Sequence, residues 1–265
     1  RGNELIRAYM DRDFRTPKDF DSFLYTSQIL QAIIIQYAAE AHRRRWPYNA
    51  GSLYWQLDDC WPVASWSGID YFGRWKALHY FARRFFAPVL VSTVEEGGLV
   101  RVYVISDRRE PAAVRLLLRL VDFGGREVWR KESDVRLDAN ACNVHFAAPA
   151  DEILGTAEPS RTVFVTEVFE GAALLSRNLY YFVTTKNMDL PAPELELEVT
   201  PFEGHLSVRI GSKRLARHVR LSTDASDGIF SDNYFDLLPG EVVTVDWTGP
   251  TAGQVLAHSI RDTYR

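Results

Sequence analysis

From Phe20 to Ala41 the apolar positions Phe20, Phe23, Leu24, Leu30, Ile34, Tyr37, Ala38 and Ala41 recur at helical spacing, and Pro17-Lys18-Asp19 ahead of them suits a helix start. The pattern predicts an amphipathic helix with a wide apolar face. Pro47 and Gly51 close it, and Leu53 to Leu57 then reads as a short strand apolar on both sides, as where helices cover a parallel sheet. A second helix is expected from about Trp75 to Phe86. Helix, buried strand, polar loop, helix is one fragment of a repeating α/β fold, in which ligands bind at the loop after a strand's carboxyl end. Here that loop is Asp58 to Trp66. A lone parallel strand makes no sheet, so residues 1–88 read as the tail of a larger barrel that docks on strands outside this sequence.

After Pro88 the periodicity shifts to alternation. Strands are expected at Val100 to Ile105, Val114 to Val121, Glu127 to Lys131, Thr162 to Phe169 and Leu179 to Val183, separated by Gly, Pro and Asp turn signals. This is a β-sandwich pattern, assigned to residues 89–187. The segment Asn187 to Pro193 holds two prolines and no periodicity, which marks a linker. Beyond it, Leu195 to Thr200, Leu206 to Ile210, His218 to Leu221, Val242 to Trp247 and Val255 to Ile260 make a second, smaller sandwich over 188–265. The expected class is therefore mixed, a (β/α)8-barrel fragment followed by two β-sandwiches.

Composition narrows the function classes. With 265 residues, 46% of them hydrophobic and 13% aromatic, the chain has ample core, which excludes disorder and fibre. A net charge of -4 argues against a nucleic-acid or anionic-membrane surface. Arg43-Arg44-Arg45 is the one basic cluster of note, and at a helix end it suits the C-terminal dipole better than a phosphate. No stretch approaches the roughly 18 apolar residues of a membrane span, so a soluble protein is expected. The chain opens at Arg1 rather than Met, so a leader or an upstream domain would pass unseen. Cys60 and Cys142 fall in different segments, implying free thiols, and the six histidines have no metal-ligand spacing. Neither metal nor organic cofactor is expected.

The richest chemistry lies in Gly51 to Trp66, which gathers Trp55, Trp61, Trp66, Gln56, Asp58 and Asp59. Aromatic faces stack on the C–H faces of pyranose rings, while amides and carboxylates take up the hydroxyls. Trp55 shares strand parity with Leu53 and Leu57, opposite to Tyr54, Gln56 and Asp58. The plainer readings are a core tryptophan at Trp55, and helix capping or packing by Asp59 and Trp61. Asp58 and Asp59 do not make a retaining carboxylate pair: such a pair stands about 5 to 5.5 Å apart, and adjacent strand residues face opposite ways. Asp70, in a polar turn before a helix, reads as a cap, and Arg74 and Lys76 read as structural donors to backbone or carboxylates. Phe230 to Asp236 mixes aromatics and carboxylates, but with Leu238-Pro239-Gly240-Glu241 after it suits a turn-rich sandwich edge.

The run Trp55-Gln56-Leu57-Asp58-Asp59-Cys60-Trp61-Pro62, continuing through Ser67 to Phe81, resembles the end of the catalytic barrel in β-mannosidases of glycoside hydrolase family 2. That family typically has Asn where Asp58 stands. The likeness extends over Tyr25 to Arg45, with Ser27-Gln28 and Glu40 to Arg44, and to Phe230 to Asp236. It implies a closing barrel segment and two immunoglobulin-like sandwiches. It also implies hydrolysis of terminal β-D-mannose with retention, with Trp55, Gln56, Asp59 and Trp61 at the substrate. The implied partners are a β-mannoside oligosaccharide and the upstream half of the same barrel. The family's two catalytic glutamates sit on earlier barrel strands, in Asn-Glu and Ser-Glu-Phe-Gly motifs. Glu4, Glu40, Glu95 and Glu96 lack that context, so no catalytic residue is assigned here. The Asn-x-Lys element of related β-glucuronidases is absent, which disfavours an acidic sugar. Two alternatives stand beside this reading: a non-catalytic carbohydrate-binding or structural module, and another exo-glycosidase of the family. The compartment stays open, cytoplasm or periplasm for a bacterial protein.

Overall fold

The structure, a computed structural model, describes residues 2–202, 204–224, 228–249 and 253–265. Three helices lead the chain: α1 (Gly2–Asp13), α2 (Phe20–Arg43) and α3 (Ala77–Phe85). Helix α2 starts where its spacing predicts, with the Asp19 carboxylate accepting from the Ser22 amide at 2.8 Å. Tyr25, Ile29, Leu30, Ala32 and Ala39 are buried, while Phe20, Leu24, Ile34 and Tyr37 stay exposed. The wide apolar face is thus only half covered. Helix α1 was not foreseen; its polar sequence buries only Met10.

Strands β1 (Val89–Glu96), β2 (Leu99–Ser106), β3 (Ala112–Asp122), β4 (Glu127–Leu137) and β5 (Ala141–Ala148) follow. After the short α4 (Ala150–Leu154) come β6 (Thr162–Glu170) and β7 (Ala173–Tyr180). One sheet has the order β1-β2-β5 and the other β4-β3-β6-β7. The inner faces of both supply one core, with Val102, Val104, Leu116, Leu118, Leu120 and Phe164 among its buried members. The second sandwich is built from β8 (Leu195–Phe202), β9 (His205–Ser212), β10 (Ala216–Thr223), β11 (Ile229–Phe230), β12 (Phe235–Leu237), β13 (Val242–Thr248) and β14 (Val255–His258). Its sheets run β12-β10-β14 and β11-β13-β9-β8, around Val208, Ile210, Val219 and Leu237. Every ladder between these strands is antiparallel.

Three expectations need correction. No strand forms over Leu53 to Leu57, because no neighbouring strand offers partners to its backbone; Leu53, Trp55 and Leu57 are all exposed. Strand β7 lies earlier than Leu179 to Val183, since Gly171 at φ +59 lets the chain reverse tightly after β6. The segment Asn187 to Pro193 is no free linker: Met188 and Leu190 are buried, and the Asp189 amide donates to the Ser160 carbonyl at 3.0 Å.

A third core joins the parts. Ile29, Leu78 and Phe85 of the helices meet Phe123, Val163 and Val165 of the first sandwich, and Leu215, Tyr234, Leu238 and Ile260 of the second. Ionic contacts reinforce the joint. Buried Glu167 accepts from Arg119 and Arg177 at 2.8 Å each, and Arg177 reaches Glu241 of the second sandwich at 2.6 Å. Arg43 donates to the Phe85 and Ala87 carbonyls at 2.7 and 2.9 Å and to Asp107 at 2.8 Å. Of the basic cluster, Arg43 thus serves the C-terminus of α3, while Arg44 donates to the Ser92 hydroxyl at 2.6 Å.

His218 sits inside this joint at φ +53, its ring beside Phe81 and both ring nitrogens without a hydrogen-bond partner. Burial, with Arg217 and Arg84 nearby and Asp236 opposing, pulls its pKa from 6.5 down to about 3. Its carbonyl accepts from the buried Tyr25 hydroxyl. The unfolded chain takes up a proton at this histidine near pH 6.5 and the folded chain does not. Stability is thus fully present above pH 6.5 and falls as the pH drops toward 3, by up to about 1.4 kcal/mol per pH unit. Asp236, lowered from 3.8, acts in the same direction only in more acid solution. Urea midpoints measured from pH 7 to 4.5 should fall steadily, and His218→Asn, which tolerates the positive φ, should flatten that limb.

Candidate functional site

Between α2 and α3 the chain from Leu53 to Lys76 is an ordered loop built on a short backbone ladder. The Gly68 amide donates to the Gln56 and Leu57 carbonyls at 3.0 and 3.1 Å, and the Ile69 amide to that of Leu57 at 2.8 Å. Asp59 returns a bond to the Ile69 carbonyl at 3.1 Å, and Lys76 bonds that of Gly68 at 2.9 Å. Ile69 thereby bridges Asp58 on one side and Trp75 on the other. Tyr54 turns inward against the shared core, its hydroxyl beside Gly68, where an added Cβ would lie 3.3 Å away. Alternation along Leu53 to Leu57 is kept without a sheet, so Tyr54 and Gln56 face in and Trp55 faces out.

Asp59 is the anchor of the loop. Its side chain is buried, accepting from the Ser65 hydroxyl at 2.5 Å and the Ser67 hydroxyl at 2.7 Å, with the Lys76 ammonium at 3.6 Å. These hydroxyls and the lysine hold its carboxyl below the usual range. Burial draws the Lys76 ammonium down, against the opposing pull of Asp59. Lys76 also donates to Ser67 Oγ at 2.7 Å. The Gln56 amide donates to the Asp58 carbonyl at 2.7 Å and lies 3.4 Å from Asp59.

Around this polar centre the tryptophans stand in the open: Trp55 is 74% exposed, Trp61 65% and Trp66 61%. These values leave most of each ring free to stack. Gln31 of α2 fixes the far side by donating to the Trp66 carbonyl at 2.7 Å. Of the four sequence-predicted residues, Trp55 and Trp61 face outward, Gln56 is half-buried, and Asp59 faces into the loop. Ser65, Ser67 and Gln31 were not singled out. The serines, six and eight residues from Asp59, carried a weak signal as short-range hydroxyl donors, whereas Gln31 carried none.

Among the carboxylates set aside on sequence grounds, Asp70 and Glu40 have structural partners. Asp58 is exposed and Asp59 buried, so the two do not face one point. Asp70 accepts from the Phe72 and Arg74 amides at 2.9 and 3.0 Å, as a turn cap does. Glu40 is buried, accepting from Ser92 at 2.5 Å and Gln36 at 2.7 Å, and burial raises its pKa. The expectation that Glu4 lacks an Asn-Glu context needs correction, since Asn3 precedes it; the pair lies on α1, a helix rather than a strand, with Glu4 exposed.

Comparison with known proteins fits this geometry. The Mannosidase Ig/CBM-like domain family matches residues 98–187, and an Ig-fold domain family found in mannosidases matches 190–263. A β-mannosidase of Mus musculus is 29% identical over 99% of this chain and 33% of its own length. That of Capra hircus is 28% identical over 88% of this chain and 29% of its own length. Among solved structures, the β-D-mannosidase of Dictyoglomus thermophilum superposes with a TM-score of 0.86 at 24% identity, over 97% of this chain and 32% of its own. An exo-chitosanase of Amycolatopsis orientalis reaches 0.75 at 14% identity, over 97% of this chain and 37% of its own, a likeness of fold. Two mannosidase-type immunoglobulin-like sandwiches behind a helical segment with an aromatic loop define the class. Over nearly its whole length the chain is similar to the carboxyl-terminal region of β-mannosidases. It spans about a third of the length of the relatives it matches.

Asp59→Asn keeps the size of the side chain but removes its charge and one acceptor. The Gly68, Ile69 and Lys76 amides should then exchange faster with solvent while those of β3 and β6 do not change, as read by hydrogen-exchange mass spectrometry. Unchanged loop protection would show that Asp59 does not anchor the loop.

Proposed function

We propose that this chain closes the catalytic unit of a retaining exo-β-mannosidase. Residues 1–88 form the end of a (β/α)8 barrel, followed by immunoglobulin-like sandwiches over 89–187 and 188–265. The observation that carries this reading is the extent of the likeness: it runs through the helical segment and its aromatic loop as well as the sandwiches, over 99% of the chain for the Mus musculus β-mannosidase. The exposed apolar residues of the helical segment support it. Leu5, Ile6, Tyr9, Phe20, Leu24, Ile34, Tyr37 and Leu53 leave more apolar surface uncovered than a finished domain face does, and the rest of a barrel is a cover of the right chemistry.

In this reading Trp55 walls the subsite of the mannose whose bond is cut, and Trp61 extends the aromatic surface beside it. Gln56 lies at the edge of that subsite with its amide nitrogen turned onto the Asp58 carbonyl, and Asp59 anchors the loop that carries both tryptophans. Stacking on a sugar face supplies orientation, which counts most when the ring is distorted toward the oxocarbenium-like transition state. The acid/base and the nucleophile are glutamates on other strands of the same barrel, and the substrate is a β-linked mannoside.

In the intact protein Trp55→Ala should lower kcat/KM for a chromogenic β-mannoside on the order of 10²-fold with the melting temperature unchanged. Wild-type kinetics in that variant would remove Trp55 from the subsite. The 265-residue chain alone should show no turnover beside an active intact protein. Turnover by the chain alone would place the catalytic pair among its own carboxylates.

A further inference from the structure

Two segments singled out by the sequence, Ser27-Gln28 and Phe230 to Asp236, have no part in the loop itself, yet the fold brings them together directly behind it. The turn after β11 is pinned to its own sandwich by Asn233, buried, whose side chain accepts from the Leu221 amide at 2.8 Å and donates to the Leu221 carbonyl at 2.9 Å. Helix α3 grips the same turn from the other side. Arg83 donates to the Ser231 carbonyl at 2.6 Å, and Arg84 to Asp232 and to the Asn233 carbonyl at 2.6 Å each. Charge-assisted bonds of this length are among the stronger polar contacts a protein makes.

Held between these two grips, Tyr234 adopts φ +52, which turns its ring out of the last sandwich and into the helical segment. The ring is 7% exposed, with centroids 5.8 Å from Tyr80 and 6.2 Å from Tyr25. Tyr80 in turn meets Trp75 at 5.4 Å, and Trp75 meets His79 at 4.5 Å. At the tip, the Tyr234 hydroxyl donates to Gln28 Oε1 at 3.4 Å, the same atom that accepts from the Ala77 amide at 3.4 Å. Both bonds are long, but they converge on one acceptor where α3 begins. Trp75, Lys76 and Ala77 are the last residues of the aromatic loop and the first of that helix. Trp75 bridges Ile69, and Lys76 binds Ser67 and faces Asp59.

We propose that Tyr234 of the last sandwich is a positioning residue for the sugar-facing loop, setting the base of that loop through Gln28, Tyr80 and Trp75. This rests on the reading of the loop as part of a sugar subsite. The sandwich then does more than cover the helices: it fixes where Trp55 and Trp61 stand. Packing chains of this kind transmit position because close-packed side chains leave no slack to absorb a shift.

The test uses the intact protein and compares Tyr234→Leu with Val208→Ala, which opens a cavity in the core of the same sandwich without touching the turn. Both variants should melt at lower temperature. Well below either transition, Tyr234→Leu should speed exchange of the Gly68 and Lys76 amides about 10-fold and lower kcat/KM between about 10- and 100-fold, whereas Val208→Ala should do neither. If the two variants behave alike, the role of Tyr234 is structural and the proposal fails. Should Tyr234→Leu not fold, Gln28→Leu removes the shared acceptor from the α2 side; wild-type loop exchange and kinetics there would overturn the proposal. Loop exchange reports the latch whatever the loop binds. A Trp55→Ala variant with unaltered kinetics beside a loosened loop in Tyr234→Leu would thus fail the sugar reading and leave the latch standing.

Discussion

Helices α2 and α3 have no sheet of their own to pack on, and the structure depends on how that is resolved. Their buried faces share one core with both sandwiches, in which Ile29, Leu78 and Phe85 are at most 1% exposed. Full burial of a side chain of this size is worth about 1.5 to 3 kcal/mol, so a few such contacts approach the whole net stability of a domain, about 5 to 15 kcal/mol. The aromatic loop hangs between these two helices. Its order is borrowed from a core that the sandwiches help to form.

Polar groups fix the arrangement that the core makes favourable. Apolar contact is non-directional, and on its own it would let α3 slide or rotate on the sandwiches. Arg43, Arg83 and Arg84 remove that freedom by binding specific carbonyls around the C-terminal end of α3, and Arg177 ties the two sandwiches through Glu167 and Glu241. Glu167 keeps one arginine if the other is lost, so its buried charge is unpaired only when Arg119 and Arg177 are both removed.

Local pattern made α2, α3 and most of the sandwich strands legible in the sequence, because each has its own period and its own boundary residues. Strand β1 was not legible: Val89 to Thr93 is buried at every position, so it lacks the alternation by which half-exposed strands are read. Strand β5, half-exposed and with Ala at both ends, carries little β signal. At the site, the tryptophans and carboxylates stood out by composition, whereas the inward turn of Asp59 depended on hydroxyls at Ser65 and Ser67 that looked like ordinary loop residues. The role of Phe230 to Asp236 was illegible for a different reason. Its partners Gln28, Arg83 and Arg84 lie 206, 148 and 148 residues away, and no local rule links positions so distant.

The connector between the sandwiches carries a consequence for how the molecule comes apart. Met188 and Leu190 are inserted into the common core, Asp189 is bound to Ser160 and paired with Arg161, and Arg15 from the front of the chain donates to the Met188 carbonyl at 3.1 Å. A segment that resembles a hinge in sequence is instead a keystone, touching all three parts at once. Pulling either sandwich away exposes the apolar surface of the other and of the helices, so the parts melt together as one cooperative unit rather than as beads on a string.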